Sequence, residues 1–338
     1  MIPHNRPTIG SEEEEAVTRV LRSGNLANGT EVSSFEKEFS EYMGLKKEHS
    51  VAVSNGTSAL FLSLWALDAN SKKIAFPSYV CSALRHAVGM INGVETIIDS
   101  SKNSPNINQY EMKNNSHDIE IVPHMYGIPT KITRNENIPL IEDCCQALGA
   151  RVNEELVGLQ GTTGIFSFFA TKVITSGGHG GMIISKEKEI IEKIKDYREF
   201  DGRKDQKSRF NFQMTELQAA VGREQLKKLP AFLERREEIF QMYRSAGLEL
   251  LDVNKEDQKS IKPIRYRAIL KTSNQREIIT KLDKKEIKAI VPLEDWELLG
   301  EKESSPNSLE FSKNTVSIPI YPSLKDEEVE LIIKTIQD

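Results

Sequence analysis

Seven short apolar runs follow one another between residues 50 and 185, and they constrain the fold more than any other feature. They cover residues 50–53, 73–76, 95–98, 119–123, 139–141, 164–169 and 181–185. Such runs, interleaved with helical or loop segments, are typical of strands that are buried on both faces of a sheet. The pattern predicts an α/β fold with a mainly parallel seven-stranded sheet. Functional side chains should gather at the carboxyl ends of those strands.

The chain has 338 residues, more than one compact core usually holds, so we expect two domains. A long helix, or two joined ones, is predicted over residues 214–246. After residue 261 the pattern becomes strand (266–271), helix (275–284), strand (288–291) and a final helix (325–337). We predict a large domain with an N-terminal arm over residues 1–235 and a small α+β domain over residues 236–338. Polar segments 103–115 and 302–307 are predicted to be surface loops.

Charge and cysteine content exclude several classes of function. The net charge of −5 and the pI near 5.9 argue against a nucleic-acid partner. The three cysteines, Cys81, Cys144 and Cys145, form no CxxC pair, so neither a metal site nor a disulfide framework is expected. The acidic N-terminal segment does not resemble a secretory signal, and no run of about 18 apolar residues predicts a membrane helix. A cytoplasmic protein is expected.

The sequence SNGTSAL, residues 54–60, joins the first predicted strand to a helix through a glycine-containing turn. At such a helix start the N–H groups of Gly56, Thr57 and Ser58 have no helical acceptor. Together with the hydroxyl groups of Thr57 and Ser58 they could form an anion site. A simple capped turn is an equally reasonable interpretation of this segment taken alone.

Two acidic residues, Glu142 and Asp143, come directly after the fifth apolar run. A buried carboxylate without a partner is costly, and a protonated pyridine nitrogen is one partner that would relieve that cost. Such a pair keeps the ring cationic and able to accept electrons. Gln146 follows three residues later and could reach a ring hydroxyl. The competing interpretation is an acidic helix N-terminus that serves only as a cap.

Lys172 follows the sixth apolar run and precedes a glycine-rich loop. Its neighbours are apolar on both sides, a setting that predicts a lowered lysine pKa and a nucleophilic amine. Ser167 lies five residues earlier and could reach a phosphate. A surface lysine that extends its ammonium group into water is the alternative.

These segments, with FNFQMTELQAAVGREQL (residues 210–226) and SIPIYPSLKDEEVELIIKTI (residues 317–336), together resemble the DegT/DnrJ/EryC1/StrS family of sugar aminotransferases. The resemblance runs through nearly the whole chain in order. It implies the fold-type I architecture of pyridoxal-phosphate (PLP) enzymes, as in aspartate aminotransferase. By resemblance, Lys172 is the Schiff-base lysine, Asp143 pairs with the pyridine nitrogen and Gln146 lies near the ring hydroxyl.

The same resemblance implies a phosphate site made by Thr57, the backbone of Gly56 and Ser58, and Ser167. Asn211 matches an asparagine that reaches the phosphate of the neighbouring subunit's cofactor, which implies a homodimer with shared active sites. The implied reaction transfers an amino group, from glutamate in most of the family, to a nucleotide-linked keto-sugar. Such products enter surface polysaccharides or modified-sugar metabolites.

Several positions depart from the family pattern. Cys81 replaces an aromatic residue that stacks on the cofactor, and a thiol can only pack softly against a ring. His179 replaces a glutamate, Gln213 an arginine and Asn25 a tryptophan, and the segment after Pro292 lacks the usual histidine. The residues expected to bind the cofactor are therefore retained, apart from the stacking position, while those expected to face the substrate are altered.

Two further functions remain open on the sequence. One is a PLP-dependent sugar dehydratase of the same fold, although such relatives tend to carry histidine where this chain has Lys172. The other is a non-catalytic or regulatory relative that keeps the fold. A plain dinucleotide-binding protein ranks last because no convincing GxGxxG follows the first strand.

Overall fold

Ten α-helices and fourteen β-strands make up the protein in a computed structural model that describes residues 1–338. The helices are α1 (Ser11–Ser23), α2 (Thr30–Tyr42), α3 (Gly56–Ala66), α4 (Ala83–Met90), α5 (Gln109–Asn114), α6 (Lys188–Arg198), α7 (Glu216–Ser245), α8 (Gln275–Asp283), α9 (Pro306–Lys313) and α10 (Asp326–Gln337). The strands are β1 (Ser50–Val53), β2 (Lys73–Pro77), β3 (Val94–Ile98), β4 (Ser100–Ser101), β5 (Ser104–Ile107), β6 (Ile119–Pro123), β7 (Leu140–Asp143), β8 (Arg151–Val152), β9 (Glu155–Leu156), β10 (Thr163–Ser167), β11 (Gly181–Ile184), β12 (Ile261–Lys262), β13 (Ala268–Lys271) and β14 (Thr315–Ile318).

The main sheet contains seven strands in the order β1-β11-β10-β7-β6-β2-β3. β11 runs antiparallel to both of its neighbours, and all other pairs are parallel. These are the seven strands that the apolar runs predict, so the α/β prediction is confirmed. Because β2, β6, β7 and β10 share one direction, their carboxyl ends meet at a single edge of the sheet.

Helices cover both faces of this sheet, as the continuous apolar runs require. Side chains alternate along each strand, so neighbouring residues point to opposite faces. Ile165 and Ile183 pack in the core under α3, α4 and α6. Phe166 and Met182 pack on the other face, under α2 and α7. No helix combines the length and apolar composition that crossing a bilayer requires.

A separate core lies in the C-terminal part of the chain. There the second half of α7, from Ile239 onward, packs with β13, β14, α8 and α10. Helix α7 is one continuous element and runs through residue 235, so the division at that residue stays a prediction. The N-terminal arm also reaches this core, since Ile2 pairs with Ile287 in a parallel bridge.

Two segments predicted as loops contain regular structure. Residues 103–115 include β5 and α5, and the Asn108 side chain caps that helix by accepting from Glu111 N at 3.2 Å. Residues 302–307 include a 3₁₀ turn and the start of α9, where Pro306 takes the first helical position. Polar composition alone was misleading here, because short elements at the surface need few apolar residues.

The prediction of a strand at residues 288–291 is wrong, since only Ile290 pairs there, through a single bridge to Ser317. The partner of β13 is instead β14, with Ala268 opposite Ile318. Strand β14 was not predicted from the sequence, because its place in the sheet depends on pairing with β13, more than 40 residues away.

Acid should weaken the attachment of the N-terminal arm through His4. Its Nε2 lies 2.8 Å from Ser317 Oγ and 3.2 Å from Arg267 Nη1. Burial, and then the charge of Arg267, lower the pKa of His4 from 6.5 to about 3. Between pH 6.5 and about 3, His4 therefore binds a proton in the unfolded chain but not in the folded chain. For this reason the free energy of unfolding should fall as the pH drops from 6.5 towards 3.

Urea unfolding at several pH values tests this expectation with His4→Gln. The variant should lose stability less steeply between pH 6.5 and 3, by at most about 1.4 kcal/mol per pH unit. His86→Gln, at an exposed position, is the matched control and should follow the wild type. Identical slopes for His4→Gln and wild type would contradict the assignment.

Candidate active site

A cavity of about 530 Å³ opens at the edge where the parallel strands end. Seven of the eight residues singled out in the sequence line it: Gly56, Thr57, Ser58, Asp143, Gln146, Ser167 and Lys172. The eighth, Asn211, is exposed outside the cavity of its own chain, although its neighbour Phe212 lines the wall. Residues more than 100 positions apart are thus brought to one site by the sheet.

The first turn of α3 forms one end of the cavity. Asn55 caps the helix, and its Oδ1 accepts from Ser58 N at 2.8 Å and from Ser58 Oγ at 3.1 Å. Ser58 therefore has no free N–H group, which corrects the expectation from the sequence. The N–H groups of Gly56 and Thr57 and the Thr57 hydroxyl donate to no protein acceptor, so they remain available to an anion.

Gly56 is required here because Ser167 lies close behind it. A Cβ atom at Gly56 would stand 2.9 Å from Ser167 Cβ, 3.1 Å from Ser167 Oγ and 3.4 Å from Cys145 Sγ. The absence of a side chain at Gly56 thus lets the backbone N–H groups and the Ser167 hydroxyl lie together at one end of the cavity.

The two acidic residues at the end of β7 have different environments. Glu142 is fully buried and accepts from Gly158 N at 2.9 Å, Gly161 N at 2.7 Å, Gln160 N at 2.5 Å and His124 Nε2 at 3.0 Å. Burial alone would raise the pKa of Glu142, but His124 and the backbone donors hold it below its ordinary value. Glu142 thus ties the loop after β9 to the sheet.

Asp143 lines the cavity instead. It is 8% exposed, and its one protein donor is Cys145 N, at 3.0 Å from Oδ1. No cationic side chain lies within salt-bridge distance of the Asp143 carboxylate. A buried carboxylate with a single donor is costly, so Asp143 favours a positively charged partner in the cavity.

Gln146 lies on the loop after β7, beside the cavity. Its Oε1 accepts from Tyr126 N at 2.8 Å, which fixes the orientation of the amide. The Nε2 group has no protein acceptor and can donate to a ligand oxygen in the cavity.

Lys172 lines the cavity in the turn that follows β10, with its Nζ 5.4 Å from the centre of the Tyr266 ring. The prediction of a lowered lysine pKa is wrong. Burial does act to lower the pKa of Lys172, but the negative charges that Tyr266, Cys145, Cys81 and Asp143 can carry outweigh it and raise the pKa above its ordinary value. The apolar sequence neighbours are not the groups that surround the amine in the fold.

Cys81 lines the cavity where an aromatic residue was expected from the family pattern. Desolvation of the thiol, and then the charge of Asp143, raise the pKa of Cys81. The rings of Phe169 and His179 lie 5.2 Å apart at the rim. Phe169 is part of the motif around Lys172, but nothing local in the sequence distinguishes it from the apolar core residues that precede it.

On an α/β fold of this topology, a cavity with a lysine, a carboxylate without a cationic partner and a free helix N-terminus fits a PLP-dependent aminotransferase. The sequence model of the DegT/DnrJ/EryC1/StrS aminotransferase family matches residues 7–337. The chain belongs to this family.

Individual relatives agree with that assignment. GDP-perosamine synthase of Vibrio cholerae is 28% identical over 100% of this chain and 99% of its own length. A UDP-4-amino-4,6-dideoxy-N-acetyl-beta-L-altrosamine transaminase of Campylobacter jejuni is 32% identical over 72% of this chain and 69% of that protein. The crystal structure of the aminotransferase TlmJ from Streptoalloteichus hindustanus has the same fold, with a TM-score of 0.90 at 23% identity, covering 100% of this chain and 98% of that one.

Replacing Glu142 should destabilise the fold because its hydrogen-bond partners would be left without an acceptor. For Glu142→Leu we expect a loss of about 3–5 kcal/mol in the free energy of unfolding, because several buried donors would each be left without an acceptor. Because the pKa of Glu142 is depressed, its stabilisation is present above about pH 4.5 and disappears as the pH falls below that value.

Urea unfolding of Glu142→Leu, beside Glu15→Leu at an exposed position, measures the effect. Glu15→Leu should change stability by no more than about 0.5 kcal/mol. Equal stability of the two variants would contradict the structural role of Glu142.

Proposed function

We propose that this aminotransferase transfers an amino group, with glutamate as donor, to a nucleotide-linked keto-sugar that enters a surface polysaccharide or a modified-sugar metabolite. The supporting observation is the convergence of Lys172, Asp143 and the Gly56–Thr57 turn on one cavity of about 530 Å³. The relatives point to the acceptor, since their names include a GDP-linked and a UDP-linked amino sugar.

The cavity residues fit PLP in their chemistry. The N–H groups of Gly56 and Thr57, with the hydroxyls of Thr57 and Ser167, would hold the phosphate. Asp143 would face the pyridine nitrogen, and the free Nε2 of Gln146 would donate to the ring oxygen. When bound, the cofactor supplies an electron sink that stabilises negative charge at the α-carbon of the amino donor.

Lys172 is proposed to hold the cofactor covalently through Nζ and, once released, to act as the base. Its amine would take the proton from the donor's α-carbon and, in the second half of the reaction, would give a proton to the sugar carbon that receives the amino group. Although burial acts to lower it, the pKa of this amine is raised by Tyr266 and the other ionisable groups around it. A cation bound against Asp143 would cancel one of the charges that raise this pKa, which favours the free amine when the cofactor is present.

Asn211 supports a homodimer with shared sites. The residue is exposed and points to no group of its own cavity, and Phe210 beside it is 62% exposed. An exposed polar residue next to an exposed aromatic ring, at the mouth of the site, suits a surface that a second copy covers. The cytoplasmic location expected from the sequence stays a prediction.

The role of Lys172 is tested with purified wild type, Lys172→Ala and, as matched control, Lys47→Ala at an exposed position. Wild type and Lys47→Ala should show the visible absorbance of the bound cofactor, and glutamate should change that absorbance. With GDP- and UDP-linked keto-sugars they should form aminated products detectable by mass spectrometry. Lys172→Ala should be slower by at least about 100-fold.

Aminated product from Lys172→Ala at the wild-type rate would contradict the proposal. A deoxygenated sugar from the wild type would favour the dehydratase. A wild type that neither binds the cofactor nor changes the sugar would favour a non-catalytic relative.

Asp143→Asn tests the partner of the pyridine nitrogen. The substitution keeps the shape of the side chain but removes its charge, so amination should slow by about 100-fold or more. Far-ultraviolet circular dichroism should match the wild type, because Asp143 makes one protein hydrogen bond. Asp68→Asn, whose side chain is 81% exposed, is the control. A wild-type rate for Asp143→Asn would show that Asp143 does not carry this role.

A further inference from the structure

Tyr126, in the turn after β6, has a backbone conformation that is unusual for a bulky residue. Its φ is 59° and its ψ is 14°, in the left-handed region, although the residue is only 3% exposed. The other non-glycine residues with a positive φ are all exposed and polar: Asp68, Ser71, Asn92, Asn153, Glu154 and Glu286. A bulky residue keeps such a strained backbone only where the surrounding structure holds it, and strained positions of this kind cluster at functional sites.

Buried side chains from other elements hold this turn in place. The Tyr126 hydroxyl donates to the hydroxyl of Tyr79 at 2.9 Å, and Tyr79 is fully buried in the loop after β2. The buried side chain of Asn106 spans the turn, since its Oδ1 accepts from Met125 N at 2.8 Å and its Nδ2 donates to Ile128 O at 2.9 Å. The turn therefore cannot relax without breaking hydrogen bonds between buried groups, which is costly.

Gly127 encloses the turn from the side of the C-terminal segment. Its φ is 81°, and a Cβ atom there would stand 2.4 Å from the carbonyl oxygen of Ile264. The carbonyl of Gly127 in turn accepts from Ile264 N at 2.9 Å. Backbone contact on this side leaves Tyr126 no room to move away from the cavity.

The strained conformation directs one N–H group toward the candidate active site. Tyr126 N donates to Gln146 Oε1 at 2.8 Å, and this is the one hydrogen bond that the Gln146 side chain makes to the protein. An N–H donor can bond only to the oxygen of an amide, so the bond from Tyr126 decides which end of Gln146 is used. It leaves the Nε2 group, rather than the oxygen, available in the cavity that Gln146 lines.

We propose that Tyr126 is a positioning residue for Gln146. The strained turn, held by the hydroxyl pair of Tyr79 and Tyr126, keeps the amide oriented so that its Nε2 donates to the ring oxygen of the cofactor. The assignment rests on the proposed binding of PLP. Tyr126 acts on the cofactor only through Gln146, whereas a tyrosine that merely filled the core would affect the cavity equally with or without Gln146.

The hydrogen bond itself is tested in the cofactor-free chain by amide hydrogen exchange, with mass spectrometry of the peptide that carries residues 124–128. Gln146→Leu removes the acceptor of a single N–H group, so the Tyr126 N–H should exchange at least about tenfold faster than in the wild type. Tyr126→Phe, which breaks the hydroxyl pair, should also accelerate this exchange. Tyr243→Phe, whose hydroxyl donates to Pro319 O at 2.8 Å in the C-terminal core, is the matched control and should leave it unchanged.

The effect on the cofactor is measured in the holoenzyme as the pH midpoint of the cofactor's visible absorbance. A donor to the ring oxygen favours the anionic form of that oxygen, so Gln146→Leu should move the midpoint up by about one pH unit. Tyr126→Phe should move it in the same direction in the wild-type background and should add nothing in the Gln146→Leu background. Tyr79→Phe removes the same hydroxyl pair from the other side and should reproduce both results if Tyr126→Phe does not fold.

Equal exchange of the Tyr126 N–H in wild type and Gln146→Leu would overturn the proposal. So would an unmoved midpoint in Tyr126→Phe and Tyr79→Phe, or a shift as large in the Gln146→Leu background as in the wild type. A wild type that binds no PLP would instead overturn the proposed function, and the exchange measurement would still decide whether Tyr126 orients Gln146.

Discussion

The parallel pairing of β7 with β10 is the constraint on which the rest of the site depends. It sets Glu142 opposite Gly164 and Asp143 opposite Ile165, so β10 continues two residues beyond the end of β7, to Ser167. The loops that leave these ends carry Gln146 and Lys172 to a common cavity. Because neither strand can slip without turning its buried side chains to the other face, the separation of the acidic and basic groups is fixed by the core rather than by the loops.

Buried charge is handled in two ways at this edge. Glu142 has its hydrogen-bonding capacity filled by three backbone donors and His124, so it serves the fold. Asp143, the next residue, points into the cavity with one protein donor. Adjacent residues of a strand face opposite sides of the sheet. Glu142 therefore stabilises the fold, while Asp143 is left free to contact a ligand.

Groups from several parts of the chain lie close to Lys172, whose Nζ is 5.4 Å from the centre of the Tyr266 ring. Arg236 lies on α7, the helix that enters both cores, and Lys172 lies in the turn after β10. The N-terminal arm closes the same region: Asn5 donates to the carbonyl of Thr171 at 3.1 Å, and His4 contacts Arg267. A movement between the C-terminal part and the sheet would therefore change the electrostatic surroundings of Lys172 directly.

The sequence by itself determined the seven strands, their α/β arrangement and seven residues that line the cavity, because buried parallel strands appear as continuous apolar runs and their ends are marked by polar or glycine-rich turns. Only the tertiary structure decided which of the candidate residues keep a donor, an acceptor or a charge available to a ligand. Ser58 is occupied by the cap of Asn55, Glu142 is satisfied by a loop, and the pKa of Lys172 is raised by Tyr266 and other groups distant in sequence. Hydrogen bonds and Coulomb interactions depend on distances in space, and no local pattern places Tyr266 beside Lys172.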